Sequence, residues 1–450
     1  MLYASLALIG GLMVFAAEYP KNDFEWQALF EAPTKQLWWV VISLVVFGLV
    51  FMVETKFWQT FAYVIYAVTL ALLVLVLFFG STKKGATAWF NLAGFSLQPS
   101  ELAKLGTCLA LSSYLGYYKT KLSNPKSIII CIAIFMFPAA LVLLQPDAGS
   151  TLTFMSFFVV LFREGLNPNL YIVALLLITI FITSLIFPLI HLFSAATIVA
   201  NFILLLYQKR SRNWWISFAS IFVFSIIAMM FNWGVESLIV NLGLCITLLY
   251  NGIKKGQYRT MIGLASILMV CMGFAYTART IFDKVLEPHQ QDRINVWLRP
   301  ELSDPRGALY NVLQSKYAIG AGGFAGKGFL QGTMTKLNYV PEQATDFIFS
   351  TIGEEQGFIG VTAIIIIFLM LITRITMIGE RAKTAFGRTY AYSVAGFLFV
   401  HFFINIGMTM GLMPVIGIPL PLVSKGGTSL LSFSIMMGIL MKMDLERTRG

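Results

Sequence analysis

The chain has 450 residues, 58% of them hydrophobic and only 12% charged, with a formal net charge of +11. Soluble domains carry about 25% charged residues, so this composition excludes a water-soluble enzyme and describes a polytopic membrane protein. The cations group into membrane-anchoring clusters and give no ground for a nucleic-acid partner.

Apolar stretches of membrane-compatible length number about 14, near 3–17, 38–54, 59–80, 102–118, 127–144, 148–162, 170–190, 192–207, 214–231, 236–250, 259–277, 347–373, 389–410 and 426–441. The first begins almost at Met1, with no basic segment before it and no small-residue cleavage site, and reads as a retained helix. Lys119, Lys121 and Lys126 share one short connection, Lys209, Arg210 and Arg212 a second, Lys254, Lys255 and Arg259 a third, and Arg374, Arg381, Lys383 and Arg388 a fourth. All four fall on one side of the membrane. The positive-inside rule makes that side cytoplasmic, puts both termini there, and places 81–101, 145–147, 278–345 and 411–424 outside.

Two of these outward segments carry polar groups at helix starts. In 85–104, Trp89 is followed by Gln98-Pro99-Ser100-Glu101 and Lys104. Trp89 is either an interfacial belt residue or a substrate contact. Glu101 either complements a helix dipole, worth about 0.3–1 kcal/mol, or serves a site. Asp147, in Gln145-Pro146-Asp147-Ala148-Gly149-Ser150, is placed to cap the next helix. Cys108, Cys131, Cys245 and Cys271 lie in apolar runs without CxxC spacing and read as small buried hydrophobes, with no disulfide framework or thiolate metal site. Of the histidines, only His401 lies in a membrane run, where a hydrogen-bonded packing role is expected.

Residues 278–345 form the most informative outward segment. A connection of this length without its own function is uncommon, and its charges are of a kind that lipid does not accommodate. Gly320-Ala321-Gly322-Gly323-Phe324-Ala325 formally matches a dinucleotide fingerprint, yet no strand precedes it in a βαβ unit. Gly326-Lys327 hints at a phosphate loop, but Ala321 stands where Gly is needed and Gly328 where Ser or Thr is needed. What remains is a glycine-rich segment that permits close backbone approach, with Lys327 among amide donors. It is either a phosphate holder or a flexible connector. Beyond it, Asp346, Ser350 and Glu354 recur at four-residue spacing as one polar stripe, and Gly353 and Gly357 form a small-xxx-small pair.

Five runs in order, GATAWFNLAGFSLQPSELAK, LLQPDAGS, LSDPRGALYNVLQSKYAIGAGGFAGKGFLQGT, LNYVPEQATDFIFSTIGEEQGFIG and GLMPVIGIPLPLVSKGGTS, are similar to the signature segments of the SEDS family (shape, elongation, division, sporulation). The GKGFLQGT segment resembles the elongation branch more than the division branch. The resemblance implies a peptidoglycan glycosyltransferase that polymerises lipid II at the outer face of the cytoplasmic membrane, with a class B penicillin-binding protein as partner. It implies an all-α transmembrane bundle in one integral-membrane domain, 1–450, with a family-like core of ten helices and the catalytic loop at 278–345. Where the family pattern has one crossing, five runs occur here, so a helical insertion of about four helices is expected near 163–258. An even number preserves the outward placement of the loop. Two positions also depart from the pattern: Ala344 replaces a His, and Lys425 replaces the Tyr of Ser-Tyr-Gly-Gly.

The chemistry follows from the substrate class. Joining a sugar hydroxyl to an anomeric carbon whose leaving group is a lipid pyrophosphate needs one base and nearby cations, without a glycosidase's second carboxylic acid. Asp304 in Ser303-Asp304-Pro305-Arg306-Gly307 matches the family's essential loop aspartate and is assigned as general base or metal ligand, against the plain reading of a turn Asp before Pro. Arg293, Lys316, Lys327 and Lys104 are candidate pyrophosphate partners. Trp89, Glu101 and Asp147 complete the candidate substrate-binding set. A divalent cation, Mg²⁺ or Mn²⁺, bridging Asp304 and pyrophosphate fits hard-oxygen preference. A lipid II flippase would concentrate polar groups at the bilayer midplane, whereas here they gather in outward loops. A non-catalytic scaffold is the other alternative.

Overall fold

The computed structural model describes residues 1–19, 32–83, 86–92, 95–117, 120–208 and 212–449. Lys119, Lys209 and Arg210 of the basic connections lie outside these described residues. Contacts divide the chain into two units, Met1–Asn167 with Ser303–Gly450, and Pro168–Leu302.

The first unit contains α1 (Leu2–Glu18), α2 (Ala32–Met52), α3 (Thr55–Thr60), α4 (Ala62–Phe79), a sheet, α5 (Pro99–Gly116), α6 (Pro125–Leu143), α7 (Ala148–Thr153) and α8 (Phe157–Arg163). The second unit contains α9 (Pro168–Ile186), α10 (Leu189–Tyr207), α11 (Arg212–Met230), α12 (Gly234–Lys254), α13 (Tyr258–Lys284) and α14 (Pro288–Leu298). The chain then returns to the first unit with α15 (Ala308–Ala321), α16 (Thr333–Lys336), α17 (Ile348–Arg381), α18 (Ala385–Thr409) and α19 (Gly427–Arg449). Among the described residues, eleven helices are long and apolar enough to cross a membrane, and Leu2–Glu18 and Ala148–Arg163 are shorter apolar helices. Every expected apolar run is helical over most of its length, that at 148–162 as α7 and α8 in succession. That at 102–118 is α5, largely interior, with Ser100, Glu101, Lys104, Thr107 and Ser112 all buried.

Helix α18 is the centre of the first unit. Within its membrane-compatible span 72% of residues are buried, against 22% for α17 and 17% for α2, whose apolar faces are left for lipid. Phe397 of α18 meets Phe154 and Phe157 edge-on at ring separations of 5.9 and 5.0 Å, and Phe135 of α6 stacks on Phe157 at 5.6 Å. Such contacts supply dispersion where lipid removes any hydrophobic drive between helices.

The second unit is held by neutral polar side chains. Along α10, Ser194, Asn201 and Gln208 recur on one face. Ser194 and Ser237 hydroxyls lie 2.7 Å apart, Asn201 donates to Asn241 O (3.0 Å), Asn241 donates to Ser225 Oγ (2.7 Å) and Gln208 to Leu248 O (2.8 Å). Leu204, Leu205, Leu244, Cys245, Leu248 and Met261 form the adjoining core. At the end of α9, Arg279 donates to Ser184 O and Phe187 O, and Arg299 to Ile186 O, answering carbonyls that a helix terminus leaves unpaired.

The fold is the expected all-α bundle, and it carries one small sheet besides: β1 (Ser81–Lys83), β2 (Ala86–Leu92) and β3 (Phe95–Leu97) are antiparallel in that order, with Ser81 opposite Trp89 and Phe90 opposite Leu97. Threonines and aromatics in Thr82, Thr87, Trp89 and Phe90 favour this extended form. The segment 278–345 contains helices of its own: α13 runs on to Lys284, and α14, α15 and α16 occupy much of the remainder. Pro288 at the start of α14, with a Glu287–Gln290 capping box, is a helix-start signal within that segment. The expected insertion at 163–258 falls within the second unit apart from its first residues, and that unit continues to Leu302.

Candidate active site

Polar groups of the first unit gather where the starts of α5, α7, α17 and α19 meet the last turns of α18. Pro99 opens α5, and Gln98 just before it donates to Asp147 Oδ2 at 3.2 Å. Asp147 caps α7 as its position implied, accepting from Ser150 N (2.9 Å) and Ser150 Oγ (2.7 Å). Thr428, in the first turn of α19, donates to Ser96 O at 3.0 Å, and Ser432 donates to Glu101 O at 2.7 Å. Asn405 donates to both Asp346 O (2.8 Å) and Ile418 O (2.7 Å). The connection 411–426 is thereby pinned from several sides. A Cβ on Gly149 would stand 2.9 Å from Ile416 O, so this connection lies directly on the start of α7.

Beneath it is a buried charged triad. Lys104 is fully buried, with Nζ 2.8 Å from Glu101 Oε1 and 2.9 Å from His401 Nε2. An ammonium only donates, so His401 Nε2 accepts and Nδ1–H donates to Pro419 O at 3.2 Å, which defines the imidazole tautomer. Both side chains are closed off from solvent in this structure, and they reach the 411–426 connection through His401. His401, Gln98 and Asn405 belong to this network although sequence reasoning gave none of them a site role. The Gln98-Pro99-Ser100-Glu101 motif contained a signal for Gln98.

A second arrangement surrounds Glu354. Its carboxylate is buried and accepts from Lys327 Nζ (2.7 Å), Met334 N (2.9 Å), Thr335 N (2.9 Å) and Thr335 Oγ1 (2.8 Å). Lys327 also donates to Thr333 Oγ1 at 2.7 Å and keeps 29% of its side chain exposed. It is tethered to Glu354 while still reaching the surface. The glycine-rich segment is not a free connector, because its backbone is paired with another element. Helix α17 is broken at Gly357 (φ 61°, ψ −161°), and the glycine-rich strand satisfies the break: Lys327 N donates to Glu354 O (3.0 Å), Gly328 N to Glu355 O (2.9 Å), Phe358 N to Gly323 O (2.9 Å) and Ile359 N to Phe324 O (3.2 Å). The amides of Lys327 and Gly328 are thus committed to carbonyls. A Cβ at Gly326 would lie 2.2 Å from Glu355 O, and one at Gly357 2.2 Å from Gly326 N, so the two backbones touch where side chains are absent.

Asp304 lies at the surface before α15. Its Oδ1 accepts from Arg306 N at 3.0 Å and its carbonyl from Gly307 N at 3.1 Å, an Asx turn that leaves the carboxylate exposed. Helix α15 ties this turn to the polar centre: Ser315 donates to Thr409 O at 2.9 Å, and exposed Lys316 lies over Gly411, at the end of α18. Trp89 is half-buried in β2, where Ser81 Oγ donates to its carbonyl at 3.0 Å. Arg293 is exposed on α14 in the second unit. Among the described residues no three His, Cys, Asp or Glu side chains cluster to hold a metal ion.

Fold and site together define a polytopic helical membrane protein whose buried charges hold irregular connections at one end of its bundle. The family model of the FtsW/RodA/SpoVE cell cycle proteins matches residues 1–205 and 189–449. The chain belongs to this family. It is 32% identical over 454 residues to the peptidoglycan glycosyltransferase RodA of Treponema pallidum, covering 98% of this chain and 96% of that protein. It is 31% identical over 409 residues to the peptidoglycan glycosyltransferase MrdB of Escherichia coli, covering 91% and 84%. Among solved structures, a chain of a peptidoglycan synthase complex that coordinates polymerisation and crosslinking aligns with TM-score 0.64 and 22% identity, over 100% of this chain and 97% of that one. The rod shape determining protein RodA of Thermus thermophilus aligns with TM-score 0.56 and 20% identity, over 99% and 95%. These structures establish the shared fold.

Proposed function

We propose that this chain is a peptidoglycan glycosyltransferase that polymerises lipid II at the outer face of the cytoplasmic membrane during cell elongation, with both termini cytoplasmic and a class B penicillin-binding protein as partner. Family membership along the whole chain, with relatives named for this activity, is the observation that carries the reading. The basic connections supply the orientation through the positive-inside rule.

Asp304 is the general base. It takes the proton from the acceptor sugar hydroxyl, whose oxygen forms the new bond to the donor's anomeric carbon as the bond to the lipid pyrophosphate breaks. The electron pair leaves with the pyrophosphate, and exposed Lys316 and the surface-reaching ammonium of Lys327 are the cations offered to it. A divalent cation, if bound, would be held by Asp304 together with pyrophosphate oxygens and would offset the leaving group's charge. The test is polymer formation from purified lipid II by the chain with its partner. Equal polymerisation by wild type and Asp304→Asn would refute the assignment of the base.

A further inference from the structure

One pocket of the first unit plays no part in the chemistry above. It has a volume of about 560 Å³ and is walled by Glu18 at the end of α1, by Asn338, Glu342, Gln343 and Ala344 in the turn before α17, and by Lys425. Glu18 and Lys425 form an ion pair across it. That contact uses one of the three ammonium donors. Glu18 Oε2 is buried and has no hydrogen-bond partner among the described residues. Gln343, only 5% exposed, is anchored by its amide nitrogen to Ala17 O (2.8 Å), Thr335 O (2.9 Å) and Asn338 Oδ1 (2.7 Å), while its Oε1 has no partner among the described residues. With its nitrogen held three ways, this side chain is not free to turn its oxygen elsewhere. Buried acceptors without donors are uncommon in proteins and point to a missing partner.

The walls are also held in unusual backbone. Asn338 (φ 52°) and Glu342 (φ 58°) both occupy the left-handed region, a cost that surrounding structure must sustain. Ala344 and Lys425, the two positions that depart from the family pattern, meet here, with Lys425 N donating to Ala344 O at 2.8 Å. Lys425 lies opposite a glutamate 407 positions away in sequence.

We propose that this pocket is a subsite for the peptide part of the lipid-linked substrate. The proposal rests on the glycosyltransferase reading and adds a second recognition point to it. The pocket displays spare acceptors (Glu18 Oε2, Gln343 Oε1) beside spare donors on Lys425. A pyrophosphate would meet the carboxylates of Glu18 and Glu342, and a neutral sugar has no use for an ion pair. A peptide alternates N–H and C=O and carries charged groups of both signs, which is the complement these walls present.

The experiment compares two substrates and two variants. The chain with its transpeptidase partner is assayed on lipid-linked disaccharide carrying the pentapeptide and on the same compound lacking it. Lys425→Met is expected to raise KM for the peptide-bearing substrate about tenfold, the effect of losing one good contact. Glu18→Gln is expected to change it in the same direction by less, and neither variant should alter KM for the peptide-free substrate. Binding of free pentapeptide to the detergent-purified chain, followed by NMR line broadening, should be lost in Lys425→Met, and this readout does not depend on polymerisation. Equal KM changes with both substrates, or unchanged peptide binding in both variants, would overturn the subsite. So would loss of partner co-purification with KM unchanged, since the pocket would then be a protein contact. Wild-type peptide binding without any polymerisation would instead support the subsite and remove the glycosyltransferase reading.

Discussion

The two units bury polar side chains in different ways. In Pro168–Leu302 the interior donors and acceptors are neutral, Ser194, Asn201, Gln208, Ser225, Ser237 and Asn241, and they link one regular helix to another. In the remainder they include Glu101, Lys104, Lys327 and Glu354, and they hold irregular backbone: the 411–426 connection through His401, and the start of α16 through the Glu354 carboxylate. Neutral groups suffice to join helices, since each contact adds only about 0.6–2 kcal/mol and demands little desolvation. Irregular backbone near lipid has no internal hydrogen-bond ladder, so it needs stronger partners and is tolerated only where protein covers it. The charged interior marks the part of the chain where shape is kept for chemistry.

That distinction predicts a graded set of outcomes. The largest effect is expected from Asp304→Asn, which keeps the Asx turn and removes the base. Polymerisation of lipid II should fall by about 10²–10⁴-fold with no change in thermal melting. Glu354→Leu comes next. It strands the Lys327 ammonium and the Met334 and Thr335 amides and should destabilise the first unit by about 3–5 kcal/mol, read as a lowered melting temperature in detergent. Lys104→Met should behave similarly by leaving the Glu101 carboxylate buried without its cation, and a melting temperature equal to wild type would contradict the positioning role assigned to the triad. In the second unit, Asn241→Leu should cost about 0.6–2 kcal/mol and leave polymerisation near normal. An activity loss matching that of Asp304→Asn would erase the contrast between the units. The smallest effect is expected from Asp283→Asn. This residue pairs loosely with Arg279 at 3.6 Å, outside the family motifs, and its variant should polymerise as wild type does.

Much of the helical layout was legible because hydrophobic length is a local property, and each apolar run is helical over most of its length. The cap at Asp147 was legible for the same reason, its partner being Ser150 three residues on. Other features depend on distant partners. Lys104 and His401 are 297 positions apart, and nothing around either announces that burial would join them. The role of Gly326 was hidden because the backbone it meets belongs to a helix that breaks only at Gly357. The small sheet was missed because strands of three to seven residues beside long apolar helices give little periodic signal. The buried position of Lys104 could not be read from its place near a helix start, where exposure is the usual outcome.

The seam between Gly323–Gly328 and the break in α17 also bears on local opening. A glycine-rich stretch between helices is ordinarily where amide protons exchange with solvent fastest. Here the amides of Lys327, Gly328, Phe358 and Ile359 each donate to a carbonyl across the seam, and one backbone cannot leave without exposing the unpaired groups of the other. Their exchange should be slow and should quicken together. In a deuterium time course these four sites would form one cooperative unit, drawn from two stretches of chain that sequence alone assigns to a loop and a membrane helix.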